Sequence, residues 1–153
     1  MVNAIDKSEI SNYVGYAPEA SDWFEVTQEQ INQFADCTLD HQFIHVDPKL
    51  AAQTPFGTTI AHGFLTMSML SHFAKSFGII IKGCYMGINK GFDRARFVSP
   101  VKVGSHIRAR SKITGIEEKK PGQFEFKTEI TLEIQGEEKP ALVADWLTVQ
   151  MVA

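Results

Sequence analysis

Between Asp40 and Leu65 the chain reads DHQFIHVDPKLAAQTPFGTTIAHGFL, a stretch with two carboxylates, three histidines and two glycines that runs straight into an apolar segment. Asp40 and His45 stand five positions apart, which is about 140° around a helix and opposite faces of a strand. Neither regular element brings those side chains together, so any cooperation between them comes from a loop. Further on, Ile60-Ala61-His62-Gly63-Phe64 sets a glycine at the first turn of an apolar helix. Backbone N–H groups there lack intrahelical partners and carry the positive end of the helix dipole. An acid, an imidazole and a free backbone donor are the parts needed to add water to a polarised double bond, or to remove it.

The elements that must position these groups are legible on either side. Thr27 caps a helix, with Gln30 at the capping-box position and Ile31, Phe34 and Ala35 on its apolar face. This helix delivers the chain to Asp40. Asp47-Pro48 opens a second, short helix over Lys49 to Gln53, with an N-cap and a proline at the first helical position. Phe64 to Phe77 is apolar around most of a helix circumference and reads as one long buried helix, with Ser68, Ser71, His72 and Lys75 on one polar stripe. Upstream, Ser8 to Tyr13 suggests a short helix and Trp23 to Val26 a short strand.

After Gly83 the pattern changes to period two. Ile107, Ala109, Ser111 and Ile113 alternate with His106, Arg108, Arg110 and Lys112, and Phe124 to Ile134 alternates in the same way. These are antiparallel strands with one wet face. Pro121-Gly122 and Gly136 to Pro140 supply the turns, and further strands are expected over Tyr85 to Phe97 and Ala141 to Val152. The class is α+β, a buried helix laid against a curved antiparallel sheet. The last strand carries Leu142, Trp146 and Val152 on one face and Val143, Leu147 and Val149 on the other, more apolar surface than an open monomer tolerates.

Length and charge narrow the function. The 153 residues are expected to form one domain, and a chain of this size buries about 68 to 70% of its unfolded surface without disulfides or metals. A net charge of −3 with mixed signs lacks the basic stripe that nucleic acid requires. Neither a signal-type apolar core nor eighteen consecutive apolar residues occurs, so no membrane span is expected and a cytoplasmic location is. Cys37 and Cys84 stand alone and are read as reduced thiols. His41, His45 and His62 show no metal-ligand spacing and there is no cysteine partner, so no metal is expected.

The loop DHQFIHVD, the segment FGTTIAHG and the later RFVSPVKVG resemble the MaoC-like, hot-dog-fold (R)-specific enoyl-CoA hydratases, and most closely their nodulation protein N-like branch. The likeness runs from about Trp23 to Ile113. It implies a hot-dog fold, with a curved antiparallel sheet wrapped around a long central helix. It implies that Asp40 and His45 are a catalytic dyad holding water, and that the Gly63 N–H faces the thioester oxygen. It further implies a homodimer whose sheets join edge to edge, acyl-CoA lying in a tunnel at the interface, and no cofactor beyond the coenzyme A of the substrate. The commoner family loop is Asp-x-Asn-Pro-x-His; here His41-Gln42-Phe43 fill the interval, and Phe43 joins Ser71 and Asn89 as candidate substrate-lining residues. Arg94 and Arg96 read as a solvated strand face, with contact to the CoA phosphates as the alternative.

The activity expected on this basis is reversible hydration of trans-2-enoyl-CoA to (R)-3-hydroxyacyl-CoA in fatty-acid metabolism. Two alternatives compete. Thioester hydrolysis occurs on the same fold, where the usual signature is a lone carboxylate near the helix. A non-catalytic acyl-thioester-binding subunit would not need Asp40, His45 and Gly63 together. Without the motif, Asp40 reads as a turn residue and His45 as a satisfied core histidine; His62 reads as fixing the turn before the helix, and Asp47 as a cap.

Overall fold

A computed structural model describes residues 3–153. Five strands form one antiparallel sheet in the order β2-β5-β6-β7-β4: β2 is Phe24–Glu25, β4 Cys84–Phe97, β5 His106–Lys120, β6 Gln123–Ile134 and β7 Leu142–Val152. The period-two pattern sets its faces. Ile107, Ala109, Ser111 and Ile113 of β5 are buried, as are Phe124, Phe126, Thr128, Ile130, Leu132 and Ile134 of β6, while Arg108 and Arg110 on the wet face of β5 clasp Glu133 of β6. Burial raises the Glu133 carboxyl, but the hydrogen bonds and charges of the two arginines outweigh it and hold the group below its ordinary range. The turn between β5 and β6 requires its glycine. Gly122 has φ +75°, and a Cβ there would meet the Val152 carbonyl oxygen at 2.6 Å.

Against this sheet lie the helices α1 (Gln28–Thr38), α2 (Phe43–Val46), α3 (Pro48–Ala51), α4 (Gly63–Ser68) and α5 (Leu70–Phe77). Leu70, Phe73 and Phe77 of α5 meet Ile107, Ala109, Ile130, Leu132, Ala144 and Trp146 in the main core, joined by Ile31 of α1 and Leu65 of α4. A helix held against a curled antiparallel sheet is the hot-dog arrangement expected from the sequence.

The structure corrects two expectations. The long helix from Phe64 to Phe77 is two segments meeting at Met69, where ψ is −13°. Hydroxyls of the first segment bond back to its own carbonyls, Thr66 Oγ1 to Gly63 O and Ser68 Oγ to Phe64 O, both at 2.7 Å, and such back-bonding bends helices. Phe64 is not in the core either; it is 68% exposed and packs edge-on against Phe97. β7, apolar on both faces, is an interior strand flanked by β6 and β4. The sheet ends at β2 on one side and at β4 on the other, and Tyr85, Met86, Ile88 and Phe97 of β4 are exposed.

The N-terminal segment adds an element the periodicity did not show. β1 (Asn3–Ile5) pairs in parallel with β3 (Ile79–Ile81), and Ile5, Ile79 and Ile81 join Ile113, Phe124, Phe126 and Val152 in a second core. Between β1 and β2, Lys7–Tyr13 is a 3-10 helix. No helix among the described residues is long and apolar enough to cross a membrane.

Candidate active site

Asp40 follows α1, which begins as its cap requires: Thr27 accepts the Gln30 N–H. At the other end Leu39 adopts a left-handed backbone, φ 61°, and so turns Asp40 back toward the body of the protein. The Asp40 carboxylate accepts the Gln42 N–H at 3.3 Å, a local turn bond, and is 53% exposed. His45 does not sit in a loop. It lies on the one-turn helix α2, 7% exposed, and α3 begins directly after it with Asp47 Oδ1 accepting the Lys49 and Leu50 N–H groups. One turn is enough to redirect the chain and bring His45 back beside Asp40, which no continuous element could do.

His45 Nδ1 lies 2.7 Å from the Ile60 carbonyl oxygen. That oxygen can only accept, so Nδ1 carries the proton and the neutral ring keeps a free lone pair on Nε2. The backbone of α2 is held as firmly. Gln28 Nε2 donates to the His45 carbonyl at 2.8 Å, and Gln28 Oε1 accepts from the buried Thr59 hydroxyl at 2.5 Å. Thr59 in turn precedes Ile60, so one glutamine on α1 braces both the histidine and the strip that fixes its tautomer.

His45 and Gly63 line the same cleft of about 360 Å³, walled by Phe56, Phe97 and Val101. Gly63 is the first residue of α4, and its N–H has no hydrogen-bond partner among the described residues. A Cβ at Gly63 would come within 3.0 to 3.2 Å of the Phe97 ring, so the glycine also lets that wall approach. Asp40, His45 and His62 each present a donor atom within 4.8 Å of the others. A single bridging water spans that distance with hydrogen bonds of ordinary length. These are also the residues that could hold a divalent ion. Sequence spacing offers no such grouping, yet the fold makes one.

His62 is the member sequence reasoning left outside the site. It is 3% exposed, its ring stacks on His45 with centroids 3.8 Å apart and planes 25° from parallel, and its Nε2 lies 3.0 Å from the Asp40 carbonyl oxygen. Its position beside Gly63 was the available signal. Gln28 and Thr59 carry no signal of their own beyond polar type.

Other expected positions lie elsewhere. Phe43 is 42% exposed and borders an outer hollow with Leu50. Ser71 and Asn89 are brought together, but in a separate hollow of about 200 Å³ with Met67, Phe92 and Trp146. Arg94 pairs with Asp145 on the exposed face of β4, at 3.4 Å.

Burial is the largest influence on the His45 pKa and pushes it below the usual 6.5. The Ile60 bond opposes this, His62 adds to the lowering, and Asp40 acts against it. The sign for stability follows. The unfolded chain takes up a proton near pH 6.5 while the folded one resists, so the contribution is complete above that pH and is lost as pH falls through the lower folded value. Melting temperature is expected to decline below pH 6.5, and His45→Asn, which has no titrating ring, is expected to lose part of that decline. Parallel pH series of melting curves check this.

A model of the MaoC like domain matches residues 9–134. The chain belongs to that family. The MaoC-like relatives include 3-hydroxyacyl-thioester dehydratase Z of Mycobacterium tuberculosis, 47% identical over 125 residues and covering 82% of each chain. Nodulation protein N of Rhizobium meliloti is 43% identical over 149 residues, covering 97% of this chain and 92% of that one. Among solved structures, the (R)-hydratase from Aeromonas caviae involved in PHA biosynthesis superposes with a TM-score of 0.71 at 26% identity, over 88% of this chain and 94% of its own.

Proposed function

We propose that this MaoC-like protein is a hydro-lyase, an (R)-specific enoyl-CoA hydratase that interconverts trans-2-enoyl-CoA and (R)-3-hydroxyacyl-CoA in fatty-acid metabolism. The observation that carries the reading is the convergence of three residues: the Asp40 carboxylate and the neutral His45 ring within bridging distance of one water, and Gly63, whose N–H is unpaired among the described residues, lining the same cleft as His45. Water held by the dyad gives up one proton to it as the water oxygen bonds to C3 of the enoyl thioester, and the dyad delivers a proton to C2, so that one water is added across the double bond. As charge moves onto the thioester oxygen, the Gly63 N–H stabilises it. The chemistry calls on no metal or redox cofactor, because a backbone donor supplies the polarisation. In the reverse direction the same groups remove water from the 3-hydroxyacyl thioester.

The names of the relatives support the reaction class, since one is a dehydratase of 3-hydroxyacyl thioesters and another structure is an (R)-hydratase. The test is direct: the enoyl absorbance of crotonyl, octenoyl and dodecenoyl thioesters is expected to fall on addition of the protein. A protein inert towards all three would leave an acyl-thioester-binding role in its place.

The reading includes a cytoplasmic homodimer joined through the open edge of β4, whose exposed Tyr85, Met86 and Ile88 are poorly suited to solvent. Acyl-CoA would then lie at the interface, where Ser71 and Asn89, in the hollow beside β4, line the acyl group. Light scattering at micromolar concentration is expected to give twice the chain mass, and a stable, active monomer would remove this part of the reading.

A further inference from the structure

Asp40 is held by few contacts of its own. Behind it stands the left-handed Leu39, and among the described residues its carboxylate accepts a hydrogen bond from the nearby Gln42 N–H and lies 4.0 Å from His62 Nε2. The bond that reaches it from elsewhere in the fold comes from His62. Because a carbonyl oxygen accepts, His62 Nε2 carries a proton and donates it to Asp40 O over 3.0 Å. The His62 ring is wedged between Phe34 of α1, at 4.9 Å, and His45, at 3.8 Å. The same residue precedes Gly63, so the peptide that joins them carries the Gly63 N–H.

We propose that His62 is a positioning residue that holds the Asp40 main chain against the His45 ring and fixes the peptide carrying the Gly63 N–H. The inference rests on the dyad reading given above. What separates it from a packing role is the other ring nitrogen. His62 Nδ1 is buried and has no hydrogen-bond partner among the described residues, a cost that an apolar side chain of similar size would avoid. Packing alone therefore gives no reason for an imidazole here, whereas a donor aimed at Asp40 does.

The test uses two nearly isosteric replacements in the full-length protein. His62→Gln keeps a donor at the reach of Nε2; His62→Met does not. In crotonyl-CoA hydration the Met variant is expected to lose about 10- to 100-fold in kcat, the scale of a misplacement near 1 Å. Its KM should stay within about 3-fold, and the Gln variant should recover to within about 5-fold of wild type. The Met variant is also expected to melt no lower than wild type, because it removes the orphaned nitrogen. Equal kcat in the Met and Gln variants overturns the inference while leaving the enzymatic reading intact. If the wild-type protein hydrates no thioester, the enzymatic reading fails and the backbone decides: ¹⁵N relaxation must show Leu39 to Gln42 loosening in the Met variant and not in the Gln variant. Unchanged relaxation overturns the inference. Should the Met variant not fold, His62→Asn, whose donor falls short of the Asp40 carbonyl, takes its place under the same criteria.

Discussion

Asp40→Asn and His45→Asn are each expected to lower kcat for crotonyl-CoA hydration by about 10² to 10⁴-fold, and the double variant by little more than either. One water held between two groups is misplaced when either is lost, so the losses do not multiply. The structure selects these substitutions. Asn at position 40 keeps an oxygen to accept the Gln42 N–H, so the turn is preserved. Asn at position 45 places an amide N–H near where Nδ1 now donates to the Ile60 carbonyl, so the backbone contact is preserved while Nε2 is removed. Alanine at 45 would be a poorer choice, because it would orphan that buried carbonyl at a cost of about 1 to 3 kcal/mol. The loss should appear in kcat, since neither side chain is assigned to grip the CoA or acyl chain. Independent, multiplying losses would refute the shared water, and two singles as active as wild type would refute the dyad.

Gly63→Pro is expected to lower kcat by about 10² to 10³-fold, the effect of removing an oxyanion donor elsewhere. Proline is tolerated at the first helical position, which Gly63 occupies. Both proline and alanine introduce a Cβ that presses on the Phe97 ring, a half-exposed side chain at the end of β4. Alanine keeps the N–H. The comparison of Gly63→Ala with Gly63→Pro therefore isolates the donor from the crowding, and kcat for the two, with melting curves confirming both folds, measures it. Equal turnover would dismiss the donor role.

What the sequence disclosed and what it withheld divide along physical lines. Local signals were legible: the Thr27 cap, the Asp47-Pro48 start, the alternation along β5 and β6, and the Gly122 turn each depend on residues close in the chain. Convergence was not. Periodicity assigns side chains to a face of their own element, and the meeting of His45 and His62 depends on how α2 and α4 are stitched to the sheet. The break at Met69 depends on hydroxyl bonds that compete with the helix ladder, and the composition of that stretch still reads as a single helix. The interior place of β7 follows from its return to pair with the earlier strand β4, a topological fact that no pattern within β7 records.

The strip that carries Ile60 has a consequence for how the protein comes into being. Ile60 N–H donates to Ile44 O, Ala61 N–H to Val101 O and Val103 N–H to Thr59 O, so the segment supporting His45 is sewn to the chain that enters β5. Those partners are far apart in sequence, and such closures are slow relative to local helices and hairpins. The hairpin of β5 and β6 can pair before the strip docks. After dilution from denaturant, circular dichroism is therefore expected to recover ahead of hydratase turnover, with the chemistry arriving as the last act of folding.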